Sequence, residues 1–163
     1  MLTSIFTPAT CSSCKLCCNF CPASSWETPY LENKLADQLE ARGIALTTRP
    51  NGSRSFALHF HMNDPQETCN CPLLNPDSGC TLPRAERPFE CRVWPLRLMY
   101  TPEGALCIAC YDSCPALNTP EAKKAMHDYA TGELLPVMLQ YAAEHPQSIR
   151  PFNPNYSVLW IQA

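Results

Sequence analysis

The sequence predicts a small single α+β domain, residues 1–163, in which two β-hairpins, short helices and long loops are organised around cysteine–metal sites. Three observations carry this expectation: a length of 163 residues, seventeen prolines and twelve cysteines. A chain of this length fits one domain. Proline fixes φ and removes a backbone donor, so seventeen of them divide the chain into short elements and turns. A chain so divided buries less regular core per residue and needs something else to hold it. The cysteines are the candidate.

Taken in order, the chain opens with a cysteine-dense loop at residues 11–22. Leu31, Leu35 and Leu39 recur every four residues with charges between them, and Gly43 follows, which predicts a helix over 32–42. Residues 44–49 and 55–61 favour strands and flank Pro50-Asn51-Gly52-Ser53, strong turn chemistry, so they predict a hairpin. Residues 63–92 show no periodicity, yet hold four cysteines and five prolines. A stretch that long without secondary structure is tolerable only if something pins it. A second hairpin is predicted from residues 97–100 and 105–109 around Thr101-Pro102-Glu103-Gly104. The C-terminal helical segment, about 119–145, contains two predicted helices, 120–129 and 133–144. Thr119 is the N-cap of the first and Pro120 stands in its first turn. The tail ends Val158-Leu159-Trp160-Ile161, which is expected to pack back on the domain.

Composition narrows the function. Hydrophobic residues make up 45% and charged residues 17%, a globular balance. The five glycines have neither dinucleotide-fingerprint nor phosphate-loop spacing. A formal charge of −3 with thinly spread lysines and arginines argues against nucleic acid. No stretch approaches the roughly 18 apolar residues of a membrane span, and residues 1–10 do not read as a secretory signal. The expected location is therefore cytoplasmic, where thiols stay reduced and cysteines read as ligands or catalysts rather than as a disulfide framework, which is the competing reading.

The cysteines fall in three clusters. The first, Cys11-Ser-Ser-Cys14-Lys-Leu-Cys17-Cys18-Asn-Phe-Cys21-Pro22, has the C-x₂-C-x₂-C-x₃-C-P spacing of bacterial ferredoxins once Cys18 is set aside. A two-residue gap lets a tight loop aim successive thiolates at neighbouring metal atoms, and a remote cysteine completes the set. Zinc uses the same gap for two corners of a tetrahedron, closed by a distant pair. The second cluster, Cys71, Cys80 and Cys91, is too widely spaced for one local loop and reads as remote ligands for sites begun elsewhere; closing those long loops through a metal would order the segment. The third, Cys107-Ile-Ala-Cys110-Tyr-Asp-Ser-Cys114-Pro115, repeats the end of the first.

The run Cys11, Cys14, Cys17-Cys18, then Cys71-Pro72, Gly79-Cys80, Arg87-Pro88, Cys91-Arg92 and Cys114-Pro115 resembles the CxxCxxCC cysteine-cluster (YkgJ-like) family, described as zinc- or iron-chelating. The resemblance spans residues 11–115, taken as the metal-binding region. It implies that Cys11, Cys14, Cys17, Cys18, Cys71, Cys80, Cys91 and Cys114 are the common metal ligands. Cys21, Cys69, Cys107 and Cys110 fall outside that set, as additional ligands or as buried thiols. Two departures from the family pattern stand out: Lys15-Leu16 where a glycine is common, and Leu82-Pro83 in place of an aromatic position.

The expected function is metal binding through one or more [4Fe-4S] iron–sulfur clusters, with a redox or binding role and an unidentified protein or redox partner. Cys11, Cys14 and Cys17 would form a local trio, and Cys18, Cys71, Cys80, Cys91 and Cys114 would complete that site and a second. The ferredoxin-like spacing carries the choice of iron–sulfur, with Arg84, Arg87 and Arg92 as cations among the ligands. Zinc is the alternative cofactor, in a stapled structural or interaction module. No catalytic motif is identifiable, so an enzyme role rests on resemblance to the flagellin lysine methylase, which carries such a cysteine set. His59 and His61 alternate on a predicted strand and read as a solvated or half-buried strand face, with a paired-imidazole metal site as the alternative; His127 and His145 read as solvent-facing. Trp26, Trp94 and Trp160 read as core or shielding residues.

Overall fold

The computed structural model describes residues 14–61 and 64–163, and the fold is α+β, built from short helices and four small antiparallel sheets. Two compact units form: Lys15–Arg92, and Val93–Ala163 together with Cys14. The cysteine-bearing stretch at 11–115 is thus divided between them.

In the Lys15–Arg92 unit, a turn of 3₁₀ helix at Leu16–Cys18 leads into strand β1, Asn19–Phe20, and a second 3₁₀ helix at Pro22–Glu27. Helix α1, Asn33–Ala41, follows the predicted leucine pattern: Ala36 and Leu39 are fully buried and Leu35 is partly so. It stops where Gly43 adopts φ 81°, a conformation that side chains resist, and donates its N–H to Glu40 at 2.9 Å. The predicted first hairpin is present as β2, Leu46–Thr48, and β3, Arg54–Phe56. In the turn, the Asn51 side chain accepts the Ser53 N–H at 3.0 Å. Leu31, α1, Phe56, Leu73 and Leu82 close one apolar core, with Cys71 and Cys80 packed against it.

β3 is shorter than expected. It ends at Phe56, so His59 and His61 do not lie on a strand and form no shared face; both are exposed. The Glu67 carboxylate engages His61 through both its backbone N–H and its ring, which replaces the expected strand pairing there.

The stretch without periodicity contains three strands of two residues: β4, Cys69–Asn70; β5, Leu74–Asn75; and β6, Gly79–Cys80. Two residues are too few to show alternation, so the pattern was invisible in sequence. Turn chemistry holds β5 and β6 together. Asn75 accepts the N–H groups of Asp77 and Ser78 at 2.8 and 2.9 Å, and Gly79 takes φ 84°. Helix α2, Phe89–Arg92, is tied to the rest of this unit by buried Glu90, whose carboxylate accepts the Tyr30 N–H.

In the other unit, β7, Leu96–Tyr100, and β8, Leu106–Tyr111, form the second predicted hairpin. The tail supplies a third strand: β9, Tyr156–Ile161, pairs antiparallel with β8. Helices α3, Pro120–Thr131, and α4, Leu135–Glu144, bury Met126, Ala130, Met138, Tyr141 and Ala142. Thr119 caps α3 as expected, its hydroxyl accepting the Ala122 N–H at 3.1 Å. No helix among the described residues is long and apolar enough to cross a membrane.

Two substitutions probe these supports. Leu39→Ala removes a fully buried side chain and should destabilise the chain by about 2–5 kcal/mol. Thr119→Ala removes only a cap and should cost about 1 kcal/mol. Urea unfolding followed by circular dichroism compares the two; equal costs would contradict this core assignment.

Candidate metal centre

Of the twelve cysteines, Cys11 lies outside the described residues; the other eleven form no disulfide among the described residues. Five of them, Cys17, Cys18, Cys69, Cys71 and Cys80, lie in the Lys15–Arg92 unit on segments separated by about fifty residues of sequence. Backbone pairing brings them together. β1 pairs antiparallel with β4, aligning Asn19 with Asn70 and Phe20 with Cys69. The Asn19 amide donates to the Asn70 side-chain oxygen at 2.7 Å, and Phe20 is buried, which fixes which face of this short ladder points inward. One residue beyond the ladder, the Cys71 N–H donates to the Cys18 carbonyl at 2.7 Å. The β5–β6 hairpin then returns the chain so that Cys80 aligns with Leu74.

The electrostatics follow this placement. Burial pushes the Cys71 thiol up to about 11; the Leu73 N–H pulls it down, and negative charge at Cys80, Cys17 and Cys69 adds to the rise. Cys80, Cys17 and Cys69 thus act electrostatically on Cys71. The fifth, Cys18, has its Sγ 3.9 Å from that of Cys17.

The loop that presents this pair turns at Lys15, whose φ of 52° makes it the one non-glycine residue with positive φ among the described residues. It is also where glycine is common in the pattern the sequence resembles. A side chain there costs conformational energy of order 1 kcal/mol. Lys15 keeps a compensating contact, its ammonium donating to the Pro76 carbonyl in the β5–β6 turn.

Cys21 stands apart. It caps the 3₁₀ helix Pro22–Glu27, and its Sγ lies 3.4 Å from the Ser24 hydroxyl. The Ser24 hydroxyl, with the N–H groups of Ser24 and Ala23, holds its pKa below the ordinary thiol value. Cys91 sits half-buried in α2. Cys14 is exposed and belongs with the other unit.

Cys107, Cys110 and Cys114 are buried in the Val93–Ala163 unit. Their resemblance to the first cluster is one of spacing alone. Cys107 and Cys110 lie in β8, whose register against β7 is unbroken from Leu96–Cys110 to Tyr100–Leu106. Residues three apart on a strand project from opposite faces, so a C-x₂-C that chelates in a loop cannot do so here. Cys110 is nearer in effect to Cys114, the N-cap of the turn at Pro115–Leu117. Burial pushes Cys110 up to about 12, with Cys114 and Asp112 adding to the rise and Lys123 opposing it.

Other residues singled out in the sequence have different work. Arg87 donates to the Leu82 carbonyl at 3.1 Å, and the Arg92 guanidinium lies 5.6 Å from the Phe89 ring centre. Trp94 stacks near Tyr111, and the Arg97 guanidinium lies 4.7 Å over the Trp94 ring. His127 is exposed as expected, whereas His145 is half-buried with its ring 4.5 Å from that of Tyr141.

Five thiols are the right donor chemistry for a thiophilic metal. Two of them also have ligand spacing, because thiolates about 2.3 Å from one tetrahedral ion lie about 3.8 Å from each other. Among the described residues, no three His, Cys, Asp or Glu side chains converge closely enough to hold a metal ion.

Comparison with protein-family models, curated proteins and solved structures finds no match. No family is therefore shown for this chain.

Two measurements follow from the burial and charge of these thiols. Alkylation of the folded, metal-free chain, read by mass spectrometry, should label exposed Cys14 early and Cys107, Cys110 and Cys114 last. Early labelling of Cys110 would contradict its placement. The pH dependence has a definite sign. Cys71 and Cys110 bind their protons more tightly when folded, so their contribution to stability is complete below pH 9, the ordinary thiol value. It falls as pH rises towards about 11 for Cys71 and about 12 for Cys110. Denaturation midpoints of the metal-free chain should drop above pH 9, and a flat profile would show these thiols to be ordinary.

Proposed function

We propose that this chain is a metal-binding protein whose cysteine thiolates hold a thiophilic centre in the Lys15–Arg92 unit, in a binding or redox role. The observation that carries the reading is that β1–β4 pairing and the Cys71–Cys18 backbone bond set the segment bearing Cys17 and Cys18 beside the one bearing Cys69 and Cys71. Cys17 and Cys18 would hold the metal, with Cys71 and Cys80, anchored on neighbouring backbone, rotating to join them. Binding displaces a proton from each thiol, so loading weakens as pH falls.

Two centres compete. Iron–sulfur chemistry, a [4Fe-4S] cluster included, is favoured by the ferredoxin spacing of Cys11, Cys14, Cys17 and Cys21-Pro22, and when bound it would supply one-electron transfer. Zinc, as a structural staple, is favoured by the 3.9 Å separation of Cys17 and Cys18. The resemblance to the CxxCxxCC family is compatible with either.

Anaerobic purification followed by iron, sulfide and zinc analysis per chain tests the reading. Iron with near-equal sulfide and a brown colour supports a cluster; zinc with an empty visible spectrum supports the staple. A chain that acquires neither, purified or after reconstitution with reduced thiols, would sink the proposal. Metal removal should also open residues 64–92 to protease, and an identical digestion pattern before and after chelation would count against a structural role for the metal.

A further inference from the structure

We propose that Lys15 is a positioning residue, a side-chain clamp that holds the Leu16–Cys18 turn against the β5–β6 turn in the metal-free chain; its bearing on metal capture rests on the metal-binding reading above. Lys15 adopts φ 52° and ψ 8°, in the left-handed region, and is the one non-glycine residue with positive φ among the described residues. Glycine takes that conformation at little cost, and lysine does not. A residue held there is a reason to ask what its side chain does. The Lys15 ammonium donates to the carbonyl of Pro76, 61 residues away in the β5–β6 turn. Glycine could not make that contact.

The contact extends the β1–β4 ladder beyond its last pair. Phe20 aligns with Cys69 and Asn19 with Asn70, and the Cys71 N–H then donates to the Cys18 carbonyl at 2.7 Å. Lys15 and Pro76 follow in the same antiparallel sense, one segment running back towards the N-terminus as the other runs forward. The bonds close a circuit. The Cys18 N–H donates to the Lys15 carbonyl at 2.9 Å, and the Leu74 N–H donates to the Cys71 carbonyl at 2.9 Å. From Leu74 the chain passes through Asn75 to Pro76, whose carbonyl returns to the Lys15 side chain. Cys17 and Cys18 therefore lie between two ties, the two-residue ladder on one side and the lysine clamp on the other. A segment fixed at both ends has less freedom to lose when a ligand binds, so the clamp raises affinity by preorganisation.

The test compares the reduced, full-length chain with Lys15→Met, which keeps an unbranched side chain and removes its charged donor. Amide hydrogen exchange of the metal-free proteins, read residue by residue by NMR, should quicken on the order of fivefold at Cys18 and Cys71. The amides of the β7–β8 hairpin should keep their wild-type rates. Unchanged exchange at Cys18 and Cys71 overturns the clamp. Equal acceleration at the reference amides overturns it too, because that marks a general loss of stability. Anaerobic zinc titration against a chromophoric chelator reads the site itself, and Lys15→Met should bind on the order of fivefold more weakly. Unchanged affinity overturns the role of Lys15 in metal capture and leaves the metal-binding reading intact. A wild-type chain that takes up neither zinc nor, on reconstitution, iron overturns the metal-binding reading, an outcome on which the exchange rates of the metal-free chain do not depend.

Discussion

Everything about the cysteine site depends on a very small piece of antiparallel sheet. Asn19–Phe20 and Cys69–Asn70 are only two residues each, yet they join segments fifty residues apart and set the register of all that follows. A two-residue ladder is weak by itself, so its persistence must come from what surrounds it. Phe20 supplies buried apolar area, the Asn19–Asn70 side-chain bond fixes the outer face, and the Cys71–Cys18 backbone bond extends the pairing. The β5–β6 hairpin then rests Cys71 and Cys80 against the core of Leu31, Leu39, Phe56, Leu73 and Leu82. The site is therefore an edge of the apolar core, which explains why burial is the leading influence on Cys71.

That position has two chemical consequences. A half-buried thiol is held protonated, which protects it from oxidation in the metal-free state and makes metal capture a proton-releasing step. Cys21 has the opposite character: hydroxyl and backbone donors at the start of a 3₁₀ turn favour its thiolate. The three buried cysteines of the Val93–Ala163 unit differ again. Two of them are strand residues on opposite faces, so they behave as core side chains of β8 as much as chemistry-bearing groups.

Much of the fold was legible in the sequence where local chemistry decides it. The leucine spacing and Gly43 located α1, Thr119-Pro120 located the start of α3, and the two turn sequences located both hairpins. Legibility failed where elements are too short for periodicity, as with β1, β4, β5 and β6, and where a favourable composition was not matched by a partner strand, as at His59 and His61. The candidate site was legible as an inventory of sulfur and not as an arrangement. Cys69 stood outside the ligand set that the pattern implied, yet its backbone pairs with Phe20 beside the gathered thiols. The expectation that a metal alone would order residues 63–92 also gives ground to the Asn75 turn and the Glu90–Tyr30 contact, which tie parts of that stretch without one.

By itself, then, the sequence determined the supply of twelve thiols, the local turns, caps and helices, and the α+β class, because each of these depends on residues a few positions apart. Only the tertiary structure decided which thiols meet. Two C-x₂-C spacings of equal appearance were sent to different ends, one to a turn region where sulfurs approach and one to a strand where alternation separates them. The reason is that spacing fixes the contour distance between two side chains, while their direction is set by backbone conformation, and that is settled by pairings with parts of the chain far away.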